Sequence, residues 1–156
     1  MKGEAKHSTK LGWHVLWADG SSSYMPDEET AKHCASPIRQ PPELEIDKRL
    51  NPNRDLPARC YVERRIVWNL LLHLKALGFE PLKVISDEAV KTPTARAVME
   101  EAFNLDDCLV EFTGGRTVTL VFGNDGTDCI SDWNYGKGDP DGFNAAVEAF
   151  KPEQFA

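Results

Sequence analysis

The sequence predicts an α+β protein in two layers: an antiparallel sheet, made of a three-strand meander plus an edge strand, covered by two or three helices and preceded by an irregular N-terminal extension. Three observations carry that expectation. From Pro57 onward, segments of helical period alternate with segments of strand period. Two turn signals, Gly114-Gly115 and Asn124-Asp125-Gly126, separate three β-rich runs at hairpin distance. Residues 1–56, by contrast, have little sustained periodicity and contain the Pro- and charge-rich stretch SPIRQPPELEIDKRLNPNRDLP. The expected organisation is an extension over 1–56, holding a β-hairpin and packed on a core domain over 57–156.

Within the extension, LGWHVLWADGSSSYM reads as a strand, a turn at Asp19-Gly20 and a short returning strand. Trp13, Val15 and Trp17 share one face, because side chains alternate along a strand. PARCYVERRIVWNLLLHLKAL then reads as a helix over 57–77, with Asp55 as cap, Pro57 in the first turn and Gly78 as the stop. Val62, Ile66, Val67, Leu70, Leu74 and Leu77 form its inward face. Tyr61, Trp68 and Leu72 gather on the opposite side, flanked by Arg64, Arg65 and Lys75. A helix apolar on two sides needs covering on both, and the extension with Trp13 and Trp17 is the expected cover. The competing reading is an aromatic and arginine patch that meets a partner.

A short strand around 82–86 follows, then a helix opened by Thr92-Pro93 that buries Ala95, Val98, Met99, Ala102 and Phe103. The meander occupies 108–113, 116–122 and 127–133. A last helix over 141–150 starts from Asp141 as cap and buries Phe143, Ala146, Val147 and Phe150, at i, i+3, i+4 and i+7.

The 156 residues are 41% hydrophobic and 28% charged, ordinary globular usage that excludes global disorder. The longest apolar-rich run, 66–77, is too short and too interrupted to cross a bilayer, and MKGEAKHSTKLGWHVLW has no secretory h-region, so a cytoplasmic protein with no membrane contact is expected. Cys34, Cys60, Cys108 and Cys129 are scattered without a CxxC pair, as reduced thiols are. His33-Cys34 has no second pair at zinc-finger spacing, and no cofactor is implied.

Charge is distributed unevenly. The net charge of -7 comes from residues 76–156, with 15 acids against 6 bases, while residues 1–75 hold 10 acids against 12 bases. The excess is densest over 124–142, where Asp125, Asp128, Asp132, Asp139 and Asp141 face a lone Lys137. Such a half is a poor phosphate-binding scaffold, so direct nucleic-acid binding, for which the basic run 48–65 is the candidate, is the minority reading. If 127–133 is a regular strand, Asp128, Ile130 and Asp132 share a face. Asp125, Asp128 and Asp132 then become candidate ligands for a divalent cation, although the spacing is not that of an EF-hand and each acid has an ordinary turn, cap or surface role. No GxSxG, HExxH or GxxxxGK[ST] motif is present, and His73 is expected at the margin of the helix's buried face.

Two runs, CYVERRIVWNLLLHLKALGFE and VFGNDGTDCISDW, resemble a family of small acidic proteins from proteobacterial genomes and their phages or plasmids. In that family a similar helix is followed by a GNDG-x-D-x-I-x-D-[WY] hairpin. The resemblance covers about residues 58–150 and implies a compact accessory protein of mobile-element type, bringing no catalytic residues. Charge and resemblance together lead to a non-enzymatic binding protein whose acidic face engages a basic protein partner. An inhibitor of a nucleic-acid-handling defence system, anti-restriction or anti-CRISPR, fits that description. The expected partner-binding residues are Asp125, Asp128, Asp132, Trp133 and Asp139 on the acidic side, with Arg64, Arg65 and Trp68 on the helix. The alternatives are a metal-dependent hydrolase or nuclease using Asp125, Asp128 and Asp132, and a structural or assembly subunit.

Overall fold

Two antiparallel sheets organise the chain, which the computed structural model describes over residues 3–9, 12–35, 38–44, 60–85, 89–91, 94–123, 125–134 and 142–156. The expected cap and proline positions Asp55, Pro57, Thr92, Pro93 and Asp141, and the candidate Asp139, lie outside them. The first sheet has the order β1-β2-β3, from β1 (Gly3–Ser8), β2 (Gly12–Trp17) and β3 (Ser22–Tyr24). The expected strand, turn and returning strand are β2, 18–21 and β3; β1 and the helix α1 (Glu28–Cys34) add regular structure to the extension beyond that hairpin. Asp27 caps α1 by accepting from the Thr30 N–H at 2.8 Å.

Trp17 and Val15 are buried in a small cluster with Met25, Ala31, Cys34, Ala35 and Ala149, and Trp13 packs at its edge. This corrects the expected cover: the two tryptophans face α1 rather than the second stripe of the long helix. That helix, α2 (Tyr61–Ala76), is met instead at Asn69 by Arg39 of the 38–44 segment. The Asn69 side chain accepts from the Arg39 N–H at 3.0 Å and donates to the Arg39 carbonyl at 2.9 Å, while Ile38 and Leu44 pack on the main core. α2 ends at Gly78, whose φ of 94° is the left-handed conformation that stops a helix.

The second sheet has the order β5-β4-β6-β7-β8. Its strands are β4 (Pro81–Ile85), β5 (Ala89–Lys91), β6 (Asp107–Phe112), β7 (Arg116–Val121) and β8 (Ile130–Asn134). The meander β6-β7-β8 and the neighbouring strand β4 were expected; β5 extends the edge. Val84, Val110, Phe112, Val118 and Leu120 form the buried side of the sheet. They share one core with Ile66 and Leu70 of α2, Val98 of α3 (Ala95–Ala102), and Phe143 and Val147 of α4 (Phe143–Ala149). This is the expected two-layer arrangement.

Three local expectations are corrected. α3 is capped by Thr94, whose hydroxyl accepts from the Ala97 N–H at 3.1 Å, so the helix begins later than Thr92-Pro93 implied. α4 takes Gly142 rather than Asp141 as its N-cap. β8 begins only at Ile130, and the β7–β8 register shifts between Thr119 and Leu120. Asp128 therefore precedes the strand and does not share a strand face with Asp132. Among the described residues no helix is long and apolar enough to cross a membrane.

Candidate partner-binding surface

Gly123 and Asp125 fold onto the N-terminus of α2, where the first N–H groups of the helix lack partners of their own. Cys60, the N-cap residue, supplies no side-chain capping bond. Asp125, held at φ 50°, takes that place from 63 residues away: its Oδ1 accepts from the Val62 N–H at 2.7 Å. The exchange is reciprocal, since Glu63 Oε1 accepts from the Gly123 N–H at 3.3 Å and from the Asp125 N–H. Helix and loop thus cap each other, as a capping box does within one helix. Glu63 is 1% exposed and its other oxygen has no hydrogen-bond partner among the described residues. Burial pushes its carboxyl above the ordinary range, opposed by the two loop N–H groups, and the nearby Asp125 and Asp128 carboxylates raise it further.

The other expected acids are placed differently. Asp128 and Asp132 are exposed, and Asp132 Oδ1 accepts from the Trp133 N–H at 2.8 Å. The Val121 N–H donates to the Cys129 carbonyl at 2.9 Å and the Phe122 N–H to the Asp106 carbonyl at 2.8 Å. These two bonds bring Asp128 and the exposed pair Asp106 and Asp107 to the same end of the sheet. Asp132 lies opposite Thr119, which lies opposite Leu109, on the sheet face turned away from the helices. Asp106, Asp107 and Asp128, from separate stretches of sequence, thereby form one acidic end, with Asp132 one register row further in. Asp106 and Asp107 were missed by counting charge along the chain; the alternation in DCLVEF, with Asp107, Leu109 and Glu111 on one face, is the signal that could have found them.

The aromatic and arginine candidates divide as well. Trp133 lies opposite Val118 on the core side, half-buried, and its Nε1 donates to Asn144 Oδ1 at 2.8 Å, joining β8 to α4. Trp68 is half-buried at the edge of the same core. Tyr61 is 60% exposed, with the Arg64 guanidinium 4.9 Å from its ring centre. Arg65 is half-buried, and its carbonyl accepts from Asn69.

His73 corrects the expectation of a marginal position, being 2% exposed. Its Nε2 donates to the Ala146 carbonyl at 2.9 Å, and its Nδ1 lies 3.9 Å from Cys34 Sγ, which donates to the Ala149 carbonyl at 3.5 Å. Burial pushes the thiol up to about 12 and the imidazole down to about 4. The pair joins α1 to α2 and α4 rather than forming a reactive dyad, which would need a thiolate open to substrate. Among the described residues, no three His, Cys, Asp or Glu side chains are grouped to hold a metal ion.

Fold and surface together define a class, an acidic two-layer α+β protein with a small second sheet. No family model, no curated protein and no solved structure matches the chain.

Proposed function

We propose that this chain is a non-enzymatic binding protein that presents the acidic end of its main sheet to a basic protein partner. The observation that carries the reading is the gathering of Asp106, Asp107 and Asp128 at that end by the sheet's own backbone bonds, with Asp132 one register row further in. Like charges brought together on one surface raise the local potential, steer a basic partner and repel acidic ones. The protonated, buried state of Cys34 and the neutral state of His73 fit a chain whose Cys–His contact serves folding rather than turnover. Asp125 is already engaged in capping α2, which favours binding over metal-dependent hydrolysis.

In its finer form, which rests on the GNDG resemblance, the partner is a nucleic-acid-handling complex of a host defence system, and the acidic end occupies a site shaped for phosphate. Affinity capture from the native host, repeated with the double variant Asp128→Lys and Asp132→Lys, tests the reading. The expected result is a basic protein whose retention falls at least tenfold in the variant and with added salt, as surface electrostatics requires. Retention of the same partner unchanged by the double reversal overturns it.

A further inference from the structure

We propose that the open face of the main sheet is a docking groove for a basic, amphipathic segment of a protein partner, an inference that rests on the acidic-surface reading and locates its binding site. The strand registers place Ile85, Leu109, Thr119 and Asp132 in one row across β4, β6, β7 and β8. Lys83, Glu111, Thr117 and Asn134 form the next row, and Asp107 faces Val121 on the other side. A groove of about 600 Å³ lies over this face, floored by Ile85, Leu105, Leu109 and Val121 with Thr119 among them.

An antiparallel sheet with one wet face ordinarily turns polar side chains outward. Here the outward residues of the floor are mainly apolar, and Val121 is 43% exposed. Among the described residues the helices pack on the other face, and the small N-terminal unit meets the main unit on that helix side, with α1 against α2 and α4. Apolar surface left open and rimmed by polar groups marks a place where something docks.

Charge selects what docks. Asp106 and Asp107 line one side of the groove, Asp132 ends the central row, and Glu111 stands in the next. Against these four acids the described part of the face carries Lys83, already 3.6 Å from Glu111. An apolar floor with an acidic rim matches a segment that alternates apolar and basic side chains, in strand or helix form. Two strand spacings are about 10 Å, close to the width of one such helix. A second copy of this chain fits worse, because a two-fold contact sets the acidic rim against itself.

The test is an NMR titration of the full ¹⁵N-labelled chain with three 12-residue probe peptides: alternating Lys-Leu, alternating Lys-Ser and alternating Glu-Leu. The expected result is that Lys-Leu shifts the amides of Leu109, Thr119, Val121 and Asp132, while the other two bind at least tenfold more weakly. Thr119→Arg weakens Lys-Leu binding at least tenfold with an unchanged melting temperature, and Val121→Lys, at the exposed end of β7, does the same should Thr119→Arg melt lower. Equal binding of Lys-Leu and Lys-Ser overturns the groove and leaves the acidic reading standing. Failure of both basic peptides overturns the two together. Equal binding of Glu-Leu, shifts that fall on β1–β3, or shifts at Leu109 and Val121 driven by protein concentration alone each overturn the choice of occupant.

Discussion

The two sheets solve the same problem with very different resources. The main unit buries Phe103, Phe112 and Phe143 at 0% exposure between a five-stranded sheet and three helices. Among its described residues the N-terminal unit has three strands and one seven-residue helix, and the cluster it builds includes Ala149 from α4. A sheet that small seldom stands alone, since it cannot remove enough apolar surface from water. It is fastened to the main unit by an alanine of another element and by the buried Cys34–His73 contact. The large unit therefore sets global stability, whereas the small one is stable only while docked.

Core truncation breaks the comparison most severely. Phe112→Ala is expected to cost about 3–5 kcal/mol, as deletions of buried aromatics do, and to lower the urea midpoint of the whole chain. Trp17→Ala should act locally. Hydrogen exchange is expected to lose protection in β1–β3 and α1 while β6 and β7 keep theirs. Equal loss of protection in both sheets would show one cooperative unit and end the distinction.

Acid should undo the fastening next. His73 is neutral in the fold with its pKa down at about 4, below the ordinary 6.5. The unfolded chain therefore binds this proton first, so the contribution is present above about pH 6.5 and lost as pH falls through 4. At about 1.4 kcal/mol per unit, the full loss is about 3 kcal/mol. His73→Gln, which keeps a donor for the Ala146 carbonyl, should flatten stability over that window relative to wild type. Identical pH slopes for the two proteins, measured by urea unfolding from pH 7.5 to 4, would remove His73 from the account.

Legibility in the sequence also differed between the two units. The faces of α2, α3 and α4 and the meander were readable because large apolar residues recur there at helix or strand period. β1 was hidden because GEAKHS offers Gly3 and Ala5 where a strand usually shows bulk. Gly3 is small because it must be: a Cβ there would meet Val15 Cγ1 at 2.8 Å. α1 was hidden for a related reason, since its buried residues are only Thr30, Ala31 and Cys34. At the candidate surface, Asp132 was readable as an exposed strand acid. Asp106 and Asp107 join it through strand register, and the β7–β8 bulge that separates Asp128 from Asp132 has no signature in residue type.

The smallest expected effect is at the mutual cap, and it tests whether the GNDG loop belongs to the stable unit or is an independent acidic surface. Asp125→Ala removes the partner of the Val62 N–H and should cost about 1 kcal/mol, the ordinary worth of a helix cap. Glu63→Ala removes the acceptor for Gly123 and Asp125 from the other side of the same contact. Because both substitutions open one interface, the double variant should be less destabilised than the sum, by about 0.5 kcal/mol or more. Strict additivity would mean that the loop and the helix do not cap each other. Glu63→Gln separates charge from geometry, since the amide oxygen still accepts from both N–H groups. With the Glu63 carboxyl raised above 4.5 in the fold, its contribution is full below that value and lost as pH rises through the folded one. At pH 7 the buried charge is therefore a cost, and Glu63→Gln should hold or slightly raise the melting temperature where Glu63→Ala lowers it.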